Sequence, residues 1–190
     1  MKTDDGQETQ WFAMRDLTRP NAKLPAYKLL AEAQFRVFTP LTTKVVENGA
    51  RRKRIEVPVV HDLLFVYSEK ERLDRIVERT ETLQYRYVKG GGYREPMVVP
   101  TADMERFIAA ISSTKTPRYY QLDEITPNMY GARIRMVCNG PLNGFEGSLL
   151  KIKGSGKKRL VVKLPGLLAA AIEIANTDFV ELIDRQEIEG

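Results

Sequence analysis

The apolar residues change their spacing once along this chain, and that change constrains the fold more than any single motif. Up to Ser112 they recur at two periods in alternation, every second residue in short runs and every third or fourth residue over longer ones. Beyond Pro127 only the two-residue period remains. Alternation is the pattern of a strand buried on one face, and a 3.6-residue period that of a helix with one buried stripe. A sheet-and-helix domain followed by an all-strand domain satisfies both patterns.

In the first part, Trp11 to Met14 predicts a short buried strand, broken over Thr18–Asn21. Leu24, Tyr27, Leu30 and Ala31 predict a helix over 22–34, and Phe35 to Phe38 returns to extended chain before Pro40. Thr42 to Val46 and Arg51 onward form a hairpin about Asn48-Gly49, a pair that supplies the positive φ of a tight turn. The returning strand is expected to run on into Leu63-Leu64-Phe65-Val66, an unbroken apolar run that suits a strand covered on both faces. Ser68-x-x-Glu71 reads as a capping box for a second helix carrying Leu73, Ile76, Val77 and Thr80. Leu83, Tyr85 and Tyr87 alternate as a strand, Gly90-Gly91-Gly92 makes a loop, and Met97 to Val99 is a short strand. Thr101 caps a third helix with Met104, Phe107, Ile108 and Ile111 on its apolar stripe.

The second part supplies five short strands, over 133–138, 148–153, 159–164, 170–174 and 178–183, which suggest a small closed barrel. The expected organisation is a disordered N-terminus at 1–9, an α+β domain at 10–112 (an antiparallel sheet flanked by helices), a polar linker at 113–127, an all-β domain at 128–184 and a tail at 185–190. Within the barrel, Leu167 to Ile174 is rich in helix formers where a strand is needed. Such a conflict either marks a metastable segment or is overridden by tertiary context.

The residues exclude more chemistry than they offer. With one cysteine, Cys138, and one histidine, His61, neither a disulfide framework nor a His/Cys metal cage can be assembled. Cys138 falls on the apolar phase of its strand and reads as a small core residue. Gly90-Gly91-Gly92 lacks the spacing and the Lys-Ser/Thr ending of a phosphate loop. No catalytic residue, cofactor or metal is assigned. The start MKTDDGQETQ is polar and acidic, unlike a signal peptide, and no apolar run approaches the roughly 20 residues of a membrane span. A cytoplasmic, monomeric protein without a membrane partner is expected.

The net charge of +5 is mild and spread, which permits nucleic-acid contact without making it the basis of the fold. Three features offer binding. Arg51-Arg52-Lys53-Arg54 on the hairpin is either a solvated turn or a contact for a nucleic-acid backbone. Tyr85, Arg86, Tyr87, Lys89, Tyr93 and Arg94 around the triglycine are either a stacking platform or half-buried core. Trp11, Phe12, Leu63 and Phe65 on neighbouring strands are either core or, where exposed, a patch for a protein partner.

The stretch Arg133-Ile134-Arg135-Met136-Val137-Cys138-Asn139-Gly140-Pro141-Leu142-Asn143-Gly144-Phe145-Glu146-Gly147 resembles a KOW motif: an alternating strand with Ile134 and Met136 inward, an Asn139-Gly140-Pro141 turn, then Phe145-x-Gly147. Gly140 and Gly147 are expected where a turn and a barrel corner need freedom in φ. The first part is similar to the NusG amino-terminal domain in its Trp-aromatic strand, its Phe-x-x-Phe-x-Pro strand (Phe35 to Pro40), its basic hairpin, its Phe-Val strand, its glycine loop and its Pro-Thr-initiated helix. The resemblance therefore covers about residues 10–183 and identifies a NusG-family transcription elongation factor, with an SH3-like KOW barrel as its second domain. It implies an apolar pocket of Trp11, Phe12, His61, Leu63 and Phe65 for the β′ clamp helices of RNA polymerase. It also implies that Arg15, Arg19 and Lys23 face upstream or non-template DNA, and that the barrel takes a second partner such as Rho or a ribosomal protein. Where the general factor reads Phe-Pro-Gly-Tyr, this chain has Val59-Val60-His61-Asp62-Leu63. That departure resembles the RfaH- and UpxY-type antiterminators of particular operons, such as those for surface polysaccharides. The alternative is a ribosome-associated, RNA-binding KOW protein.

Overall fold

The computed structural model describes residues 8–20, 22–49, 51–114, 117–120, 124–140, 142–151, 158–174 and 179–183, apart from the side chains of Asn48 and Phe179. Most of the extension expected at 1–9, the tail expected at 185–190, and Pro141 lie outside them. The chain divides into two compact units, Met1–Thr101 and Ala102–Gly190. The whole stretch expected to be a linker, 113–127, and all but the first residue of a helix expected to belong with 10–112 fall in the second unit.

The first unit is built on an antiparallel sheet of β1 (Gln10–Asp16), β2 (Arg36–Phe38), β5 (Leu64–Ser68), β6 (Leu83–Tyr85) and β7 (Val98–Val99). The order is β2-β5-β1, with β6 and β7 sharing the far edge of β1, on Met14–Asp16 and on Trp11–Phe12 respectively. The registers Phe12↔Val66, Met14↔Leu64 and Val37↔Val66 put these side chains on one face. Against that face pack Ala26 and Leu30 of α1 (Ala26–Glu32) and Leu73 of α2 (Lys70–Val77), closing a core with Phe35, Leu83 and Tyr85.

Local chemistry moved several boundaries. The helix expected over 22–34 starts only at Ala26, because Pro25, with ψ 158°, is extended and serves as its N-cap. Pro25 has no side-chain oxygen or N–H to offer, and the first helical N–H, on Ala26, is instead satisfied by the buried carboxylate of Asp16 at 2.8 Å. The same carboxylate accepts the Thr18 N–H and hydroxyl at 2.9 and 2.7 Å, so it pins both ends of the loop between β1 and α1. The expected capping box does not form: the N-cap of α2 is Glu69, and the Ser68 hydroxyl donates to the Glu69 carbonyl. Thr101, expected as a cap, is the first residue of α3 (Thr101–Ser112).

The long returning strand is two strands in two sheets. β3 (Leu41–Asn48) and β4 (Arg51–Pro58) form a two-stranded sheet of their own, and β5 begins after a bend over 59–63. Pro58 has no N–H with which to extend the ladder, and it ends β4. Tyr87, expected to continue β6, makes only an isolated bridge to Pro96 and is 47% exposed.

Among the described residues the second unit holds α3 and an antiparallel sheet in the order β13-β9-β10-β11-β12-β8. The strands are β8 (Arg118–Tyr120), β9 (Tyr130–Val137), β10 (Glu146–Leu150), β11 (Arg159–Leu164), β12 (Leu168–Glu173) and β13 (Phe179–Leu182). β8 lies within the expected linker and pairs with β12 through Tyr120↔Ala169 and Arg118↔Ala171, closing backbone groups that an apolar edge would leave open. One face carries Ile134, Leu160, Val162, Ala170 and Ile172, all buried. On the other face of β11 and β12, Val161, Ala169 and Ala171 are covered by Ile125, Tyr120, Met129 and Tyr130.

Cys138 is not a core residue. β9 ends at Val137, and Cys138 begins the turn half-buried, its N–H bonded to Asn143 Oδ1 at 3.2 Å. The turn's left-handed residue is Gly144 (φ 74°) rather than Gly140. Gly147 is demanded by space instead of φ, since a Cβ there would sit 2.7 Å from Leu160 Cδ1 and 2.9 Å from the Val161 carbonyl.

Candidate functional site

Strand alternation gives the first sheet a second face, opposite α1 and α2. Trp11 and Ala13 of β1, Phe65 and Tyr67 of β5, Arg36 and Phe38 of β2 and Val99 of β7 share it, through the pairs Trp11↔Tyr67, Ala13↔Phe65, Arg36↔Tyr67, Phe38↔Phe65 and Trp11↔Val99. Its rings are in contact: Trp11 and Tyr67 lie 5.2 Å apart, Phe38 and Phe65 6.1 Å. The Arg36 guanidinium stands over Trp11 at 5.0 Å and over Tyr67 at 5.4 Å, so a cation caps the aromatic row. Trp11, Leu63 and Phe65 are buried, whereas Phe38 and Tyr67 are half-buried and Arg36 is exposed. The Trp11 indole N–H is buried and has no hydrogen-bond partner among the described residues.

The structure separates the five residues expected to form one pocket. Trp11 and Phe65 share this face, Phe12 lies on the opposite face in the helix-covered core, and Leu63 precedes β5. His61 is exposed in the bend. Its neighbour Asp62 carries the local electrostatics. Its carboxylate pairs with Arg86 at 3.1 Å and Arg15 at 3.5 Å, and its carbonyl accepts a second bond from Arg86. Sequence reasoning passed over both Asp16 and Asp62, because their partners are distant along the chain and neither belongs to a local motif.

The basic residues are exposed. Arg19 and Lys23 sit on the loop that Asp16 pins, ahead of α1 rather than on it, and Arg15 at the end of β1 is held by Asp62. Arg51, Arg52, Lys53 and Arg54 lie on β4 opposite Asn48, Glu47, Val46 and Val45, so successive charges point to opposite sides of the hairpin. Arg52 is paired with Glu47 at 3.0 Å.

Behind the first face, the Tyr85 hydroxyl donates to Asp74 at 2.8 Å, and Lys70 holds the other carboxylate oxygen at 2.6 Å. Burial, then that bond, push the Tyr85 hydroxyl well above the usual phenol range. In the second unit the basic residues of β9 are neutralised: Arg135 donates to Glu146 at 2.7 Å and pairs with Glu181 at 3.6 Å, while Arg133 reaches Glu146 at 3.3 Å. Arg135 holds the Glu146 carboxyl below the usual glutamate range.

Of the residues of the turn motif, Ile134 and Met136 are buried, Asn139 and Gly140 are exposed in the turn, and Phe145 is half-buried beside Gly147. Among the described residues no group of three or more His, Cys, Asp or Glu side chains converges as a metal site would. No helix among them is long and apolar enough to cross a membrane.

Residues 9–108, which are 100 of the 190, match the family model described as Transcription termination factor nusG. No curated protein sequence matches the chain.

Proposed function

The chain belongs to the NusG family, and from that premise we propose that it is an elongation and antitermination factor that binds RNA polymerase through the aromatic face of its first sheet. The observation that carries this is the row of Trp11, Tyr67, Phe38 and Phe65 on the sheet face opposite α1 and α2, capped by Arg36. An aromatic cluster with a polar rim is the composition of a protein-binding hot spot, and it suits apolar contact with a helical pair such as the β′ clamp helices. Trp11, Leu63 and Phe65 are buried, so engagement through them requires that face to be uncovered first. His61 stands at the exposed end of the same segment.

Arg19 and Lys23 from the pinned loop, with Arg15 from the end of β1, would face upstream or non-template DNA, and Arg51 to Arg54 would do so from the hairpin. The second unit would be a KOW barrel of SH3-like type that recruits a further partner, Rho or a ribosomal protein. Its six-stranded antiparallel sheet and the hydrogen bonds Gly144 N–H to Met136 and Phe145 N–H to Leu142, which tie the connection between β9 and β10, support that reading. The bend that replaces the general factor's Pro-Gly-Tyr supports a specialised, operon-directed role like that of the RfaH and UpxY types, because Asp62 there ties up Arg15 and Arg86.

The rival reading, a ribosome-associated RNA-binding protein, needs the alternating arginines of β9 to be available. Glu146 and Glu181 occupy Arg133 and Arg135, which favours the polymerase reading. The test is transcription by the cognate polymerase across pause and termination sites, with and without the protein. A rise in full-length transcript is expected. Unchanged transcription, with no co-purification with polymerase and steeply salt-dependent RNA binding, would establish the rival instead. Tyr67→Ala is the variant that tests the face without emptying the core, because Tyr67 is only half-buried. It should weaken polymerase binding while leaving the fold intact.

A further inference from the structure

The loop between β6 and β7 is built with more care than a simple connection needs. Met97 N–H bonds to the Arg86 carbonyl at 2.7 Å, Val88 N–H to Glu95 at 3.0 Å, and Glu95 N–H to Gly92 at 3.2 Å. The triglycine serves this packing. Gly90 has φ 80°, and a Cβ on Gly91 would meet Glu95 Oε2 at 2.7 Å and Val88 Cβ at 3.0 Å. Arg94 holds a left-handed φ of 51°, a conformation that a residue with a Cβ rarely adopts.

What this tied loop presents is Tyr93, 91% exposed, with the Arg94 guanidinium 5.4 Å from its ring centroid. Burial does not account for so exposed a ring. Lys89 and Arg94 are exposed on the same loop, and the loop's acid, Glu95, though also exposed, is engaged locally, its carboxylate accepting the Gly92 N–H at 2.9 Å. At the root, Arg86 is held by Asp62 and so adds no free charge. The loop therefore presents an exposed aromatic ring with one cation, Arg94, at its side and a second, Lys89, four residues earlier on the same loop.

We propose that this loop binds single-stranded nucleic acid, with the Tyr93 ring stacked on an unpaired base and Lys89 and Arg94 against the backbone phosphates. The chemistry is that of sequence-tolerant single-strand binding, where a ring supplies a stacking surface and bases track the backbone. Pre-forming the loop lowers the ordering cost of that contact. The proposal does not depend on polymerase docking, and it is tested without polymerase.

The experiment is fluorescence anisotropy of the full chain with a labelled single-stranded DNA oligonucleotide and with the same sequence as a duplex, at low salt. Tyr93→Ala should weaken single-strand binding about tenfold or more, and duplex binding much less. Tyr93→Phe, which keeps the ring, should bind like the unaltered protein. An unaltered protein that does not bind the single strand overturns the proposal. So does a Tyr93→Ala variant that binds it normally, or one that loses single strand and duplex equally. Loss of polymerase binding by Tyr93→Ala, with oligonucleotide binding intact, would instead make Tyr93 a protein contact. Because Tyr93 is almost fully exposed, none of these variants disturbs the core.

Discussion

The two sheets bury their apolar strands with opposite kinds of side chain. In the first, β1 and β5 carry Trp11, Phe12 and Phe65, large residues with strong strand preference. In the second, β12 carries Ala169, Ala170 and Ala171 between Leu168 and Ile172, residues that taken alone favour a helix. All of them are buried. In the first sheet local preference and tertiary position agree. In the second, β12 is paired on both sides, by β11 and by β8, and packing decides what propensity would not. Small side chains on β12 sit beside larger ones on β11, where Val162 is the cross-strand neighbour of Ala170 and Leu160 of Ile172.

This contrast can be broken experimentally. Phe65→Ala should produce the largest loss, about 3–5 kcal/mol, because a fully buried ring is emptied from the first sheet. Trp11 is the chain's single tryptophan and pairs with the strand that carries Phe65, so its fluorescence during urea unfolding reads this unit directly. Next, Asp16→Ala should cost the same unit about 1.5–3 kcal/mol by leaving the buried N–H of Ala26 without its charged acceptor. A loss under about 0.5 kcal/mol in the same melt would mean that water replaces the carboxylate.

Ala170→Val sharpens the comparison because two effects oppose. Valine raises strand preference by up to about 1 kcal/mol, whereas overpacking a filled core costs about 1–3 kcal/mol. A net loss of about 1 kcal/mol is expected, read as faster amide exchange over 167–174. Slower exchange would show that propensity, not packing, limits this strand.

The smallest effect concerns Glu146. Its carboxyl titrates below the usual glutamate range because Arg135 holds the charged form. A depressed folded-state value means that the pair's stabilisation is present above the unfolded-state value and is lost as pH falls through the folded one. With both groups exposed, the effect on stability should be slight, but NMR titration should show the Glu146 midpoint rising toward normal in Arg135→Gln or in high salt.

Strands rich in β-branched and leucine residues were legible in the sequence: Arg159 to Leu164 is a strand over the residues expected. Features set by a distant partner were not. Ser68 has the position of a capping residue, yet it is buried and donates to the adjacent Glu69 carbonyl. Three residues at Arg118–Tyr120 are too few to show a period and become a strand because β12 has an open edge. Of the candidate pocket, the aromatic residues were legible, but alternation sends Phe12 and Trp11 to opposite faces, and only the register with β5 shows which ring joins which set.

The hairpin of β3 and β4 pairs residue for residue from Leu41↔Pro58 to Asn48↔Arg51 and belongs to neither larger sheet. It is therefore a measuring arm whose length can be changed without re-solving the fold. Two residues added to each strand between the Val45↔Arg54 pair and the base at Leu41↔Pro58 would carry the basic tip outward by about 7 Å, at about 3.4 Å per residue, and would leave every existing side chain on its own side. One residue added to each would turn the tip over. The reach of Arg51 to Arg54 from the base of the hairpin would thus be adjustable in steps.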